Sequence, residues 1–263
     1  EQDMTGDYWG WRTLQISFSL GRHIEISGLT LRQTRCWSTS FDKCSYFHVH
    51  DIHVESTVKN GDGVNARAGC HHFVIERITG HTSDDTVACT ATRPNGMTYP
   101  DDNYLYSMEP SRFLNADMDN RDLDIHDGSI SDIETGGFHH CVMCTAHEDL
   151  KVYNIHINRV KEPESLDPEV SAKMYAGHGV THRIATVKLK RNKHKRHKDS
   201  RGGTNCEDVI YNIRINDVVA NQGKVAVLVE LKARNSWFNK IVQSDDENKL
   251  FQIEDMDGIT ISN

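Results

Sequence analysis

A nine-residue pattern recurs along the chain and restricts its fold more than any other feature. In the first copy, His23–Leu31, apolar side chains occupy the second, fourth, seventh and ninth positions. Alternation with a period of two on both sides of a short break predicts two short strands joined by a bend. The other copies that fit this pattern are Tyr46–Val54, His72–Gly80, Asp122–Ile130, Asp149–Ile157, Asn212–Ala220 and the segment that begins at Gly258.

The spacing of the copies predicts a coil. Successive copies begin 23, 26, 50, 27, 63 and 46 residues apart. Intervals of 23 to 27 residues suit one turn of a parallel β-solenoid, whose turns stack about 4.8 Å apart and share a core and a backbone hydrogen-bond ladder. The longer intervals predict either an inserted loop or a second, degenerate turn. We therefore expect one all-β domain over residues 1–263, with insertions at about 91–120 and 161–205.

Composition and charge limit the partners. The chain has 37% apolar and 26% charged residues, which is typical of a globular protein. A net charge of −8 argues against a nucleic-acid binder. The sequence also predicts no membrane span and no signal peptide, because it has no long apolar run. The basic run Lys188–Lys198 is either a solvated loop or a clamp for an anionic polymer.

The cysteines favour buried thiols over a bound metal. The chain has seven of them, and the pair Cys141 and Cys144 has no second pair at the spacing of a zinc site. Such thiols suit a reducing compartment, although a secreted protein with one or two disulfides is the alternative. We expect no cofactor and no metal ion. The alternating start and the end in mid-pattern favour a segment of a longer β-helical protein.

Three aspartates are expected to meet on one wall of the coil. Asp84 and Asp85 follow the third copy of the pattern, and Asp62 follows the second copy one turn earlier. All three should then lie within one or two strand spacings of each other. Carboxylates this close raise at least one pKa, which leaves an acid beside bases. The alternatives are turn residues that cap backbone amides, or a calcium site.

The residues around these aspartates resemble a known family. Asn60-Gly61-Asp62-Gly63 resembles the NTDG motif of the polygalacturonases, glycoside hydrolase family 28, and Ser83–Ala88 resembles their GDDCIAI motif. The resemblance implies a right-handed, pectin-lyase-like parallel β-helix and inverting hydrolysis. It also implies that Asp85 is the general acid, that Asp62 and Asp84 activate the water, and that Asn60 contacts the substrate.

Two further family motifs match other residues less closely. The GHG motif corresponds either to His139 or His140 in the next turn, or to His178 in Gly177-His178-Gly179. The RIK motif has lost its arginine, and Lys232 is the nearest lysine. Arg183 and Lys188 are the candidate substitutes. The expected site therefore has Asp62, Asp84, Asp85, His139 and His178 as catalytic residues, and Asn60, His140, Arg183, Lys188 and Lys232 as substrate-binding residues.

These observations predict a glycoside hydrolase that acts on an acidic or host-surface polysaccharide. The alternative is a bacteriophage tailspike or appendage that binds a cell-wall or capsule polymer with little or no hydrolysis. That setting implies an extracellular or virion-surface location and a homotrimer. A non-catalytic structural solenoid and a calcium-dependent lyase are the remaining alternatives.

Overall fold

The computed structural model describes residues 14–32, 34–92, 123–147, 150–178, 183–192 and 209–262, without the side chains of 176–178 and 192. Its strands alternate between two series along the chain. The odd series comprises β1 (Ile16–Ser19), β3 (Thr39–Asp42), β5 (Val64–Arg67), β7 (Val87–Ala91), β9 (Val142–His147), β11 (Ala185–Asn192), β13 (Val225–Arg234) and β15 (Lys249–Asp255). The even series comprises β2 (Arg22–Arg32), β4 (Ser45–Glu55), β6 (His71–Thr82), β8 (Ile125–Gly137), β10 (Val152–Lys161), β12 (Ile210–Ala220), β14 (Ser236–Gln243) and β16 (Ile259–Ser262).

The pairing of these strands is parallel throughout the described part of the chain. Each odd strand pairs with the next odd strand, and each even strand with the next even strand. The two series join where Ile210 of β12 pairs with Ala233 of β13, so that one curled sheet results. Asn216 and Asn239 are 23 residues apart and occupy the same position on neighbouring even strands, which defines one turn. The protein is therefore all-β and compatible with a β-helix.

Columns of apolar side chains fill the space between the two series. In the odd series Val64, Val87 and Val142 are in register and have no exposed surface. Phe41 of the odd strand β3 stacks on Phe47 of the even strand β4, which stacks on Phe73 of β6, with ring centroids 4.4 Å and 5.2 Å apart. Each such side chain contributes roughly 1.5–3 kcal/mol when it leaves water. Stacking therefore gives the coil the continuous core that a single turn lacks.

Two bends with left-handed backbone recur in every turn of the even series. The members of each column have positive φ, and within a turn the two bends lie five residues apart. The first column contains His23, Tyr46, His72, Asp127, Asn154, Asn212, Asn235 and Gly258. The second contains Gly28, Asp51, Arg77, Asp132, Arg159, Asp217 and Lys240. Asn, Asp and Gly tolerate this conformation best, and they make up most of the first column.

Side chains in these columns bond from turn to turn. In the second column Arg77 Nε donates to Asp51 Oδ1 at 2.7 Å, and Arg159 Nε donates to Asp132 Oδ1 at 2.5 Å. In the first column Asn154 Nδ2 donates to Asp127 Oδ1 at 2.8 Å. Opposite charges or amide groups thus follow one another along the stack, and like charges are kept apart.

The register corrects the positions of two turns. His71 pairs with His126, so the turn that was expected to start at Asp122 has its first bend five residues later, at Asp127. The turn placed at Asp149 likewise has its bend at Asn154. The 46-residue interval before Gly258 contains a further turn, which begins at Asn235 and is the degenerate turn that the long intervals allowed as an alternative to a loop. Apolar alternation also continues through the residues before each bend. It therefore predicts which face of the strand a side chain occupies, but not where the bend lies.

The expected insertion at 161–205 is also corrected. The strand β11 lies inside it, and Val187 and Leu189 continue the odd core. Before it comes the helix α1 (Pro168–His178), which Asp167 caps through its Oδ1, 2.8 Å from the backbone N of Glu169. The start of the basic run, residues 188–192, is therefore strand rather than loop. Residues 193–198 of that run and nearly all of the other insertion, residues 93–120, lie outside the described residues.

The cysteines agree with the sequence analysis where the structure describes them. Cys36, Cys44, Cys70, Cys89, Cys141 and Cys144 are free and buried. The α1 helix, the only one among the described residues, is too short to cross a membrane.

The exposed residue Asn235 tests the left-handed bends. Its φ is 51°, and Asn235→Val should lower the free energy of unfolding by about 1–3 kcal/mol, because a β-branched residue clashes in this region. Asn235→Gly, the matched control, should change it by less than about 1 kcal/mol. Urea denaturation measures both values, and equal stability of the two variants would contradict the bend.

Candidate functional site

Three successive turns bring acidic and histidine side chains together at the beginning of the odd strands. Val64, Val87 and Val142 start β5, β7 and β9 in register, and the residues two positions earlier are Asp62, Asp85 and His140. The backbone ladder continues through this column, because Gly63 N donates to Asp85 O at 3.0 Å and Thr86 N donates to His140 O at 2.9 Å. One position earlier, Asp84 and His139 are neighbours in the same way. We name Asp62, Asp84, Asp85, His139 and His140 the acidic–histidine cluster.

Glycines on both sides of Asp62 allow the turns to approach this closely. A Cβ at Gly61 would lie 2.1 Å from Ser56 Oγ, and a Cβ at Gly63 would lie 2.5 Å from Thr86 O. Neither position can hold a side chain without moving the neighbouring turn. Asn60 precedes them with a φ of 52°, which Asn tolerates well. The NGDG sequence is therefore required by close packing as well as by any chemistry.

The cluster consists of an inner and an outer carboxylate–histidine pair. In the inner pair His140 Nδ1 lies 2.6 Å from Asp85 Oδ1, and each side chain is only 4% exposed. In the outer pair His139 Nδ1 lies 3.4 Å from Asp84 Oδ1, and the side chains are 27% and 17% exposed. The outer pair is thus the part of the cluster that solvent and a ligand reach.

Asp62 lies beside Asp85 on the preceding turn, and the pKa of its carboxyl group is raised. Burial raises the pKa of the Asp62 carboxyl well above its ordinary value, and the nearby carboxylates of Asp84 and Asp85 raise it further. Its Oδ1 is buried and has no hydrogen-bond partner among the described residues. The cluster therefore combines a protonated acid with other carboxyl groups, as the sequence analysis expected of at least one of them.

A chain of buried hydroxyl groups supports the cluster from below. Thr82 Oγ1 lies 2.9 Å from Thr86 Oγ1, which in turn lies 2.7 Å from Thr135 Oγ1. Thr82 Oγ1 also donates to the backbone oxygen of Asp84 at 2.9 Å. The three threonines have no exposed surface. They fix the bend that carries Asp84 and Asp85, and nothing in the sequence pattern had marked them.

Arg183 lies in the interior and not on a substrate surface. It is fully buried, its Nε is 3.4 Å from Glu162 Oε1, and its guanidinium also donates to Cys141 Sγ. Glu162 accepts hydrogen bonds from the backbone N of Gln222 and of Gly223, at 2.6 Å and 2.9 Å. This corrects the expectation that Arg183 contacts a substrate: the arginine neutralises a buried carboxylate that holds the next turn.

Of the remaining expected residues, Lys188 and Lys232 do not join the cluster. Lys188 is nearly buried in β11, where its Nζ lies 3.1 Å from Glu230 Oε1. Lys232 forms an ion pair with Asp257 near the end of β13, about 20 Å along the strand direction from the cluster at roughly 3.3 Å per residue. His178 is the last residue of α1, and its side chain lies outside the described part of the chain.

Two groups of side chains have the composition of a metal site. In the cluster, one ligand atom from each of Asp85, His139 and His140 lies within 4.8 Å of the others. A second group, His72, His126 and Asp127, satisfies the same criterion on the outer surface of the even series. Both groups offer imidazole and carboxylate ligands.

Comparison of the chain with protein-family models, with curated proteins and with solved structures finds no match. The chemistry of the cluster and the motif resemblance are therefore the two indications of what this protein does.

Substitution of Asp62 should change how the free energy of unfolding depends on pH. A carboxyl whose pKa is higher in the folded than in the unfolded protein loses stabilising effect as the pH rises from about 4 through the folded pKa. Asp62→Asn does not titrate, and so its stability relative to wild type should increase over this range by up to about 1.4 kcal/mol per pH unit.

Unfolding measured at pH 5, 7 and 9 tests this expectation, with Asp217→Asn in the even series as the control for loss of a carboxylate elsewhere. Wild type and Asp62→Asn with the same dependence on pH would contradict the raised pKa.

Arg183 and Glu162 should behave as a buried ion pair in which the arginine neutralises the charge of the glutamate. Arg183→Met leaves Glu162 without its cation and should lower the free energy of unfolding by about 3–5 kcal/mol. Adding Glu162→Gln should restore part of that loss, because the unpaired charge is then removed. Urea denaturation of the single and double variants tests the expectation, and a loss below about 1 kcal/mol in Arg183→Met would show that Glu162 needs no compensation.

Proposed function

We propose that this protein hydrolyses glycosidic bonds in an acidic or host-surface polysaccharide by inverting acid–base catalysis. The observation that carries the proposal is the convergence of three carboxyl groups from two turns, where burial and the other two carboxylates raise the pKa of Asp62. Inverting glycosidases need this combination, because one carboxyl group protonates the leaving oxygen while another deprotonates the attacking water. The two histidines of the following turn add groups that can orient these carboxylates.

The geometry favours a division of roles within the cluster. Asp62 and Asp85 lie side by side on neighbouring turns and are both nearly buried, so they form a pair that can share one proton. We assign the general acid to this pair, with Asp85 as its donor, as the family resemblance implies. Asp84 is more exposed and is assigned to the activation of water, with His139 beside it.

The finer features of the fold belong to the same proposal. A right-handed, pectin-lyase-like β-helix of the polygalacturonase type is supported by the parallel coil of the described residues and by the NGDG and SDDT motifs. In the proposal the coil is a single domain over residues 1–263, and the chain segments between its turns enclose the substrate cleft. Long loops on a rigid coil are where such clefts are usually built.

The proposed setting is a bacteriophage tailspike or appendage, outside the cell or on the virion surface. A trimer with a host polysaccharide as its partner is consistent with this setting, and no nucleic-acid or membrane partner is proposed. The net charge of −8 would repel an anionic polymer over most of the surface. Binding would therefore rely on local basic segments such as the run that begins at Lys188.

A second function is favoured by the burial of the cluster. Asp62, Asp85 and His140 are 6%, 3% and 3% exposed, which is little for groups that must meet a polymer. A solenoid that binds a cell-wall or capsule polymer without hydrolysis needs no such access. In that case the cluster would serve the packing of the turns, as Gly61 and Gly63 do.

Release of reducing ends distinguishes the two functions. Wild type should release them from at least one of a panel of pectins, capsular polysaccharides and teichoic acids. Asp84→Asn and Asp85→Asn should each lower the rate by about 10²–10⁴-fold, because each removes an acid–base group. Asp217→Asn, the control, should leave the rate within about twofold of wild type, in keeping with typical surface substitutions.

Circular dichroism and melting curves establish that each variant is folded. Saturable binding of a polymer by wild type with no released ends would contradict hydrolysis and favour the binding solenoid. The anomeric configuration of the first product, followed by NMR, tests inversion separately.

A further inference from the structure

We propose that the acidic–histidine cluster is a binding site for a divalent transition-metal ion such as Zn²⁺, held by Asp85, His139 and His140. One ligand atom from each residue lies within 4.8 Å of the others, so small side-chain movements would bring all three to the roughly 2.0–2.2 Å from a single ion that such ligands require. The inference does not require the protein to be a hydrolase. It also departs from the sequence analysis, which predicted no metal.

Each histidine of the proposed site already has a carboxylate beside one of its ring nitrogens. A histidine that binds a metal through one ring nitrogen commonly has a carboxylate on the other, which fixes the ring and raises its basicity. Here Nδ1 of His140 lies 2.6 Å from Asp85 Oδ1, and Nδ1 of His139 lies 3.4 Å from Asp84 Oδ1. Asp84 can therefore orient the ring of His139 from outside the site, whereas Asp85 Oδ1 and His140 Nδ1 already lie side by side as two ligand atoms for one ion.

The second nitrogen of His140 has no partner in the described part of the chain. Its Nε2 is buried without a hydrogen bond, although the side chain is only 4% exposed. An unsatisfied buried polar atom costs about 1–3 kcal/mol, and native proteins seldom tolerate one without a reason. Oδ1 of Asp62, in the same column, is buried and unpartnered as well. A cation bound beside Asp85 would offset the charge of this unpartnered carboxyl group on the adjacent turn.

Charge and backbone also favour a cation here. The carboxyl groups of Asp62, Asp84 and Asp85 come together from two neighbouring turns, so a divalent ion would relieve their mutual repulsion. His139 is held in the left-handed region with φ of 54°, and its backbone oxygen accepts a hydrogen bond from Ile184 N at 3.1 Å. The imidazole is thus presented by a fixed backbone, at an energetic cost that functional sites often carry.

The ligand set selects the class of ion. Imidazole with carboxylate suits Zn²⁺, Co²⁺, Ni²⁺ and Cu²⁺, whereas Ca²⁺ and Mg²⁺ prefer sites built only from oxygen. The calcium site that the three aspartates alone would suggest is therefore not the one proposed. Excess Ca²⁺ should fail to displace the bound ion.

The second histidine group supplies a matched control. His72 has a φ of 53°, almost the same as that of His139, but it belongs to the surface group with His126 and Asp127, where its side chain is 44% exposed. Asparagine tolerates this backbone region. His139→Asn and His72→Asn are therefore the same substitution in the same conformation, one in the proposed site and one outside it.

Metal-free full-length protein, prepared with a chelator, is titrated with Co²⁺ and its visible absorption is recorded. Zn²⁺ affinity is then measured by competition with a chromophoric chelator. Wild type and His72→Asn should each bind one tight ion. His139→Asn should lose more than about 100-fold in affinity, and Asp84→Asn, which removes the carboxylate beside His139, should lose about 10–100-fold.

Melting curves without metal separate these losses from unfolding. Retention of the tight site in His139→Asn would overturn the proposal, and so would wild type that fails to compete with the chelator. Binding is measured directly, so the result does not depend on the cleavage of any polymer. An ion bound to a protein whose metal-free form releases no reducing ends would support this inference while contradicting the proposed hydrolysis.

Discussion

The in-register stacking of parallel turns is the constraint on which the rest of this structure depends. A parallel ladder places the same position of each turn directly above that of the last, about 4.8 Å away. The side chains at one position of successive turns must therefore pack against each other without a clash or a repulsion between like charges. The valine column and the phenylalanine stack satisfy this condition through apolar contact. The bends satisfy it by alternating Asp with Arg, or by hydrogen bonds between amide side chains.

The acidic–histidine cluster is where the chain departs from this rule. Asp51 has Arg77 above it in the second bend column, but Asp62 has Asp85 above it, and both carboxyl groups are nearly buried. Stacking like charges in the interior lowers stability unless a proton, a cation or a histidine relieves it. A departure from local consistency of this kind is expected mainly at functional sites. The stacking of like charges, more than the motif resemblance, is the reason to assign a functional role to the cluster.

Features that depend on the periodicity of side chains could be predicted from the sequence. Features that depend on contacts between turns could not. Alternation predicted the strands, and turn length predicted that Asp84 and Asp85 lie beside Asp62. Alternation could not fix the bend, and the turns at Asp127 and Asn154 were therefore placed five residues early. The strand β11 was missed because its lysines suggested a loop, although Val187 and Leu189 alternate between them.

Other features of the site could not be predicted because they arise only from folding. Arg183 is buried by its pairing with Glu162, which lies 21 positions earlier and carries no pattern of its own. The hydroxyl chain of Thr82, Thr86 and Thr135 joins residues from different turns, which no local window contains. Among these features only the N-terminal cap of α1 has a local sequence signal, Asp167 followed by Pro168 and Glu169. That signal can be interpreted only when it is known that the coil is interrupted there.

The proton on Asp62 and an ion at His139 and His140 are two solutions to the same electrostatic problem, and they oppose each other. The neighbouring carboxylates help to keep Asp62 protonated. A divalent cation beside Asp85 would offset their charge, favour ionised Asp62 and engage the proposed donor at the same time. The protein would then lose the acid that glycoside hydrolysis needs, so a bound ion would inhibit that reaction. A single column of stacked residues would in this way hold either the proton or the metal, but not both.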